Sequence, residues 1–289
     1  MEEKMSILIC DSDCELWYER ADELGLKVIK MPYVIDGEEK PYDLGRGDAP
    51  KEFFDKMRKG AKASTAALNG EDYREFFEPL FEAGEDMLYI AFSSKMSGTF
   101  NYLEPIIKEL SEKYPNAKYK RFDTLSISMG AGIQVYMGAK YFLEGHTTDE
   151  TYAYLESIRA KHKIYFAVDD LTYLKRGGRI SPAAATFGNI LQLKPIIKVN
   201  EEGELAVVSK EKGNKKALNC LLNTVFESEV DTSAPIVVLN ADKQEDGDKI
   251  ISAIREKYGD DVEIWDHQIG PVIGAHCGPG TAGIIWLTK

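Results

Sequence analysis

Residues 87–100 constrain the fold of this chain more than any other segment. Six apolar residues end abruptly at Ser93, and Gly98 and Thr99 then lead into a pattern with helical spacing. This order predicts a buried strand, a tight turn and the start of a helix. A helix N-terminus carries unpaired N–H groups and a partial positive charge, so the hydroxyls at this turn favour an anionic guest such as a carboxylate or phosphate. An ordinary capped loop is the alternative.

The same alternation of strand and helix recurs through the first half of the chain. Strand-like runs end at Asp11 and Asp123 as well as at Ser93, and amphipathic helical stretches separate them. This alternation predicts an α/β domain, a Rossmann-like parallel sheet with helices on both faces. Since the carboxyl ends of parallel strands meet at one edge, we expect the three polar ends to lie together there.

The second half of the chain has a different pattern, which sets the predicted domain boundary. Neighbouring strands at 195–199 and 205–209 are mixed with helices at 215–228 and 247–258, and a helix of small residues is expected over 183–191. This mixture predicts an α+β domain. We therefore expect an N-terminal α/β domain over residues 1–162 and a C-terminal α+β domain over residues 163–289.

Charge and composition exclude several classes of partner. The formal net charge of −12 argues against nucleic acid and against anionic membrane surfaces. No apolar run approaches the roughly 18 residues needed to span a bilayer, so no stable membrane insertion is expected. The charged start of the chain does not resemble a signal peptide, and the four cysteines have no zinc-ligand spacing. The sequence thus predicts a cytoplasmic protein without a metal or cofactor.

Seven short motifs stand in order along nearly the whole chain. They occupy residues 9–12 (ICDS), 93–99 (SSKMSGT), 123–130 (DTLSISMG), 168–171 (VDDL), 176–181 (RGGRIS), 193–196 (LKPI) and 270–280 (GPVIGAHCGPG). Together they resemble the DegV family of bacterial fatty-acid-binding proteins. The resemblance implies a two-domain α/β protein that holds one long-chain fatty acid, such as palmitate, stearate or oleate, in a tunnel between its domains. It implies a lipid carrier, not an enzyme, and in some members the acid is presented to a separate kinase that phosphorylates the carboxylate.

The family's carboxylate contacts carry over to named positions of this chain. The second serine of the SSxxSGT motif is Ser94, and the histidine of the GxHxGPG motif is His276. The family's Thr-Ser pair appears here as Ser64 and Thr65. With their neighbours, the predicted ligand-binding set is Ser64, Thr65, Ser93, Ser94, Ser97, Gly98, His276 and Gly278.

Two departures from the family pattern bear on these expectations. Ala66 and Ala67 replace the usual Gln-Pro after the hydroxyl pair, which would reshape that side of the pocket. Lys212 stands where the family usually has an arginine. Because lysine cannot make arginine's bidentate contact with phosphate, this change weighs against presentation to a kinase.

Two enzymatic alternatives also fit parts of the sequence. Asp11 and Asp13 follow a strand in the Asp-x-Asp form of a haloacid-dehalogenase-type phosphatase, in which the first Asp is the nucleophile, the second an acid/base, and Mg²⁺ is bound nearby. Ser97-Gly98 and His276 leave a serine hydrolase open, but Ser94 lacks the Gly-x-Ser-x-Gly setting and no orienting acid is evident. We therefore predict a binding protein, with the phosphatase as the alternative.

Overall fold

The computed structural model describes residues 6–47, 50–180 and 193–289, which form two compact units. Unit 1 comprises residues 6–32, 39–47 and 65–159, and unit 2 comprises residues 33–38, 50–64, 160–180 and 193–289. The main division falls after Arg159. The sequence-based division into 1–162 and 163–289 does not include the exchange by which 33–38 and 50–64 pack with the later half.

The regular elements alternate along both units. The strands are β1 (Ser6–Asp11), β2 (Lys27–Ile29), β3 (Pro32–Ile35), β4 (Glu38–Pro41), β5 (Ala63–Thr65), β6 (Asp86–Ala91), β7 (Lys118–Asp123), β8 (His162–Ala167), β9 (Leu193–Val199), β10 (Leu205–Lys212), β11 (Ile236–Asn240), β12 (Ile264–Gln268) and β13 (Ala282–Leu287). The helices are α1 (Tyr18–Glu23), α2 (Pro50–Arg58), α3 (Gly70–Glu82), α4 (Phe100–Lys113), α5 (Met129–Leu143), α6 (Thr148–Arg159), α7 (Thr172–Arg176), α8 (Asn214–Phe226), α9 (Gln244–Tyr258) and α10 (Pro271–Cys277).

Unit 1 is built on a four-stranded parallel sheet in the order β2-β1-β6-β7. Tyr89 in β6 lies between Ile9 of β1 and Arg121 of β7, and β6 is buried from Met87 to Ala91 because helices flank the sheet. The predicted Rossmann-like sheet is confirmed. All strands run in one direction, so β1, β6 and β7 end at the same edge, where their polar loops begin.

Unit 2 is built on a six-stranded mixed sheet in the order β10-β9-β8-β13-β11-β12. Its neighbouring strands are antiparallel except for β11 and β12. Side chains from α8 and α9, among them Leu221 and Ile250, pack on one face of the sheet against Ile196, Val238 and Ile284. This arrangement confirms the α+β character predicted for the second half.

The structure adds elements that the sequence pattern did not predict. One is β4, which joins a small sheet in the order β4-β3-β5. A second addition is α10, in the Gly/Pro-rich segment. It begins with Pro271, a residue suited to the first helical position, and ends before Gly278, whose φ of 76° breaks the helix. The helix expected over 183–191 lies outside the described residues.

Candidate functional site

In unit 1 the candidate site is the loop of residues 92–99 between β6 and α4, here called the hydroxyl loop. Ser93 is fully buried, and its N–H donates to the Ser126 carbonyl at 3.0 Å. The Ser93 hydroxyl accepts from the Lys95 N–H at 3.2 Å, and the Ser93 carbonyl accepts from the Met96 N–H at 3.1 Å. Ser93 therefore holds the turn itself, which limits what its hydroxyl offers a ligand.

Ser97 performs a similar structural task at the other end of the loop. Its hydroxyl accepts from the Thr99 N–H at 3.3 Å, immediately before α4 begins at Phe100. Gly98 is exposed, and its carbonyl accepts from the Asn101 N–H at 3.1 Å. The hydroxyl of Ser97 thus satisfies one of the N–H groups that the start of the helix leaves unpaired.

Ser94 differs from the other two serines of the hydroxyl loop. Its N–H donates to Asp123 Oδ1 at 3.3 Å, so the end of β7 fixes its backbone. The side chain is half-buried, and within the described residues its hydroxyl takes part in no hydrogen bond. Since a half-buried hydroxyl gains from finding a partner, Ser94 is the serine of the loop whose hydroxyl is available to a ligand.

The loop after β7 supports the hydroxyl loop from the neighbouring strand. Asp123 Oδ1 accepts from the Leu125 N–H at 3.0 Å as well as from Ser94, and the Thr124 hydroxyl donates to the Ala91 carbonyl at 2.8 Å. Leu125 and Ser128 have positive φ values of 47° and 50°, which non-glycine residues rarely adopt. The Asp-Thr motif therefore fixes a strained turn that in turn positions Ser94.

Asp11, at the end of β1, anchors the start of the hydroxyl loop. Its Oδ2 accepts from the Tyr89 hydroxyl at 2.7 Å and from the Phe92 N–H at 2.9 Å. Burial raises the pKa of Asp11 to about 6, although these hydrogen bonds oppose the shift. The first Asp of the predicted Asp-x-Asp pair thus ties two strands together, and Asp13 beside it is buried as well.

In unit 2 the candidate residue is His276, near the end of α10. It is half-buried, and burial together with the positive charges of Arg179 and Arg176 lowers its pKa to about 4. The imidazole is therefore neutral at pH 7. In this form it has one N–H donor and one nitrogen acceptor.

Close contacts between rings and glycines hold α10 among its neighbours. A Cβ at Gly274 would lie 2.8 Å from Cζ of Phe54 in α2, and one at Gly278 would lie 2.6 Å from Cε2 of Tyr173 in α7. Real Cβ atoms do not approach so closely, so these rings occupy space that only glycine leaves open. The glycines flanking His276 thus serve packing inside unit 2.

The predicted site residues fall into three places. Ser93, Ser94, Ser97 and Gly98 lie together on the hydroxyl loop of unit 1, and His276 and buried Gly278 lie together in unit 2. Ser64 is exposed and Thr65 half-buried at the end of β5; Ser64 belongs to unit 2 and Thr65 to unit 1. Their joint role in binding a ligand stays a prediction.

Sequence reasoning gave no role to two residues that the structure places at these sites. Asp123 was noted as a strand end, but its contact with Ser94 depends on the pairing of β6 with β7. Gly177 lies against the His276 ring although 99 residues separate them in the sequence. The Gly-Gly step at 177–178 was the only sequence signal of that contact.

In the described part of the chain, no group of three or more His, Cys, Asp or Glu side chains is arranged to hold a metal ion. No helix of that same part is both long enough and apolar enough to cross a bilayer.

Comparison with known proteins covers nearly the whole chain. Residues 5–289 match a family model described as uncharacterised proteins of the DegV family. The chain is 36% identical over 285 residues to a DegV domain-containing protein of Clostridium perfringens, with 98% of each chain covered. It is 34% identical over 235 residues to one of Lactococcus lactis, covering 81% of this chain and 80% of the relative.

Solved structures give the same result. A DegV family protein from Thermus thermophilus, described as binding fatty acid, is 26% identical with a TM-score of 0.82, over 99% of this chain and 100% of its own. DegV of Bacillus subtilis, described as a fatty-acid-binding protein, is 25% identical with a TM-score of 0.83 over the same shares. The phosphatase alternative receives no support from these relatives.

Proposed function

The chain belongs to the DegV family, and we propose that it binds one long-chain fatty acid. In this proposal the carboxylate accepts hydrogen bonds from Ser94, from the hydroxyl pair Ser64 and Thr65, and from His276. The acyl chain occupies an interdomain tunnel, as the family resemblance implies. The protein then acts as a lipid carrier and not as an enzyme.

The Ser94 hydroxyl is the observation that carries this proposal. Ser93 and Ser97 use their hydroxyls within the hydroxyl loop, whereas that of Ser94 is half-buried and makes no hydrogen bond within the described residues. A carboxylate removed from water needs strong donors, and a hydrogen bond to a charged group contributes about 1.5–3 kcal/mol. Ser94 offers such a donor without introducing a counter-charge.

The neutral state of His276 fits the same role. An imidazole with a pKa of about 4 carries no charge at pH 7 and donates its single N–H to an anion. Most of the affinity would come from the acyl chain. At about 0.8 kcal/mol per buried CH₂, roughly fourteen methylenes offer ~11 kcal/mol before the costs of association.

Lipid analysis of the purified protein tests the proposal directly. We expect native mass spectrometry of protein expressed in bacteria to show one bound molecule, and organic extraction to release a C14–C18 fatty acid in near one-to-one ratio. Added palmitate or oleate should raise the Tm of delipidated protein. Absence of extractable acyl lipid, together with an unchanged Tm, would refute the proposal.

Side-chain variants test the headgroup contacts. Ser94→Ala and His276→Ala should each weaken palmitate binding roughly 10- to 150-fold, the equivalent of one lost hydrogen bond to a charged group. Ser157→Ala, which removes an exposed hydroxyl from α6 of unit 1, is the matched control and should bind as the wild type does. A fatty alcohol of equal length should bind less tightly and be insensitive to both variants. Equal affinity for acid and alcohol in every variant would exclude these residues as readers of the headgroup.

Presentation of the acid to a kinase stays a prediction. Lys212 is exposed at the end of β10, an edge strand of the mixed sheet, where the family usually has an arginine. The missing bidentate contact predicts weaker engagement of a phosphate-handling partner than in relatives that keep the arginine.

A further inference from the structure

Gly177 lies directly against the imidazole of His276. It follows the last residue of α7, and a Cβ built on it would lie 2.9 Å from Cε1 of the ring and closer still to Nδ1. Distances below 3.0 Å are essentially never seen for real Cβ atoms. Any side chain at position 177 would therefore compete with His276 for the same space.

The backbone of Gly177 does not itself require glycine. Its φ of −73° and ψ of −8° lie in the right-handed helical region that every L-residue adopts readily. Alanine would be favoured there on entropic grounds, because glycine loses more conformational freedom on folding. Gly178, the next residue, is the opposite case, with a φ of +69° and open space around its Cα. Position 177 therefore requires glycine because there is no room for a side chain, and not because of its backbone dihedral angles.

The segment that carries Gly177 is also fixed. The Gly177 N–H donates to the Tyr173 carbonyl at 2.9 Å, and the Arg179 N–H donates to the Leu174 carbonyl at 2.9 Å. The Arg179 guanidinium donates in addition to the Gly177 carbonyl. These bonds keep the Cα of Gly177 in place. The imidazole lies at the end of a side chain with two rotatable bonds, so a conflict between the two displaces the ring.

We infer that Gly177 is a positioning residue for ligand recognition. Its Cα, which carries no side chain, lies against the His276 ring and sets the orientation of that ring. This inference rests on the proposed function, in which His276 donates to the carboxylate of a fatty acid. A hydrogen bond weakens steeply as its angle departs from linearity. A methyl group at position 177 would push the ring aside and redirect its N–H without removing it.

A double-mutant cycle tests this inference on the full chain, with palmitate as the probe. Gly177→Ala should weaken binding about 10-fold or more in the wild-type background, comparable to His276→Ala. In the His276→Ala background, where the ring is absent, the same substitution should change affinity less than about twofold. Gly247→Ala in α9 is the matched control, because its Cβ would meet no atom closer than 3.6 Å, and it should bind normally in both backgrounds.

The imidazole signals in an NMR spectrum report the position of the ring without ligand. The chain has four histidines, so the His276 signals are identified by their loss in His276→Ala. Gly177→Ala should shift those signals while leaving the other three in place, and Gly247→Ala should not shift them. Loss of folding in unit 2 would instead move the signals of His162 and His267 as well, which separates displacement of one ring from collapse of that unit.

The outcomes distinguish this inference from the function on which it rests. If the wild type binds no fatty acid, both are wrong. If the wild type binds and His276→Ala weakens binding, but Gly177→Ala binds normally or is equally harmful without the ring, only the positioning role of Gly177 is refuted. Loss of binding confined to the background that contains His276, with a shift of its signals alone, supports the inference.

Discussion

The hydroxyl loop of unit 1 and helix α10 of unit 2 are held in place by different kinds of interaction. Hydrogen bonds fix the loop, because Asp11 and Asp123 accept from its N–H groups and Ser93 and Ser97 accept from their own neighbours. Packing fixes the helix, where rings lie against bare glycine Cα atoms. The hydrogen bonds of the loop tolerate small shifts in distance, whereas the packing around the helix is disrupted by one added methyl group.

Each of the two regions also contains an ionisable group that burial keeps neutral, and the two pKa shifts have opposite directions. Burial raises the pKa of Asp11 to about 6, and burial lowers that of His276 to about 4. Between pH 4 and 6 both groups are largely uncharged in the folded protein, although each would be charged over much of this range when unfolded. These two groups therefore contribute to stability with opposite dependence on pH.

The largest effect is expected where packing and backbone both require glycine. Gly278 has φ 76° and ψ 167°, a conformation almost confined to glycine, and a Cβ there would strike the Tyr173 ring. Gly278→Ala should lower the free energy of unfolding by about 4 kcal/mol, combining backbone strain and overpacking. Gly60 has φ 97°, but a Cβ built on it would meet no atom within 4 Å, so Gly60→Ala should lower the free energy of unfolding by only about 1 kcal/mol. Urea unfolding followed by fluorescence of the buried Trp265 and Trp286 measures both; equal costs would contradict the packing account.

The next largest effect is the pH dependence that Asp11 gives to the wild type, whose free energy of unfolding should fall as pH rises. With a folded pKa of about 6 against an ordinary value of 3.8, the folded state binds the extra proton between these values. Its contribution is complete below pH 4 and disappears as pH rises through 6, a change of about 3 kcal/mol. Tyr73 and Tyr89, which face this carboxyl, do not titrate here because burial raises both their pKa values. The difference in unfolding free energy between Asp11→Asn and wild type should follow this curve; a constant difference would refute it.

His276 should produce a slope of similar size and opposite sign. Its folded pKa of about 4 lies below the ordinary value of 6.5, so the unfolded state binds the extra proton between these values. Stability from this group is present above pH 6.5 and is lost as pH falls to 4, by up to about 3 kcal/mol. His276→Gln should remove this dependence. A variant that retains it would show that another group titrates.

A smaller effect is expected from the acceptor shared by Ser94 and Leu125. Asp123→Ala leaves two N–H groups without their acceptor and should cost about 2 kcal/mol. Asp123→Asn keeps an oxygen at this position and should cost much less. Amide hydrogen exchange at Ser94 and Leu125 should accelerate in the alanine variant only. Equal acceleration in both variants would indicate that the charge matters more than the acceptor.

The smallest effect separates the two kinds of serine on the hydroxyl loop. Ser97→Ala removes the acceptor of the Thr99 N–H at the start of α4 and should cost about 1 kcal/mol of stability. Ser94→Ala removes a hydroxyl with no hydrogen bond in the described chain, so it should change stability by less than about 0.5 kcal/mol while weakening palmitate binding. Thermal unfolding of the delipidated variants, with palmitate titration alongside, tests this contrast. A reversed order of stability would contradict the roles given to the two hydroxyls.

Much of unit 1 was predictable because its determinants are local. The apolar run of β6 and the polar residues after each strand indicate a parallel sheet with its loops at one edge, and the structure has that sheet. Ser93 and Ser97 bond within two residues of themselves, so the type and spacing of residues already indicate such a turn. The family motifs indicated Ser94 and His276 as site residues, but they did not indicate that Asp123 contacts Ser94 or that Gly177 lies against His276.

The sequence by itself determined the alternation of elements, the family and the candidate hydroxyls, because these depend on residue type and short spacing. Only the tertiary structure decided which of those hydroxyls is available, since Ser94 differs from Ser93 in its bonds and not in its chemistry. It alone placed residues 50–64 with unit 2 and Gly177 against His276. Contacts between segments far apart in the chain depend on how strands pair and helices pack. A local sequence pattern therefore does not predict which glycine packs against which aromatic or imidazole ring.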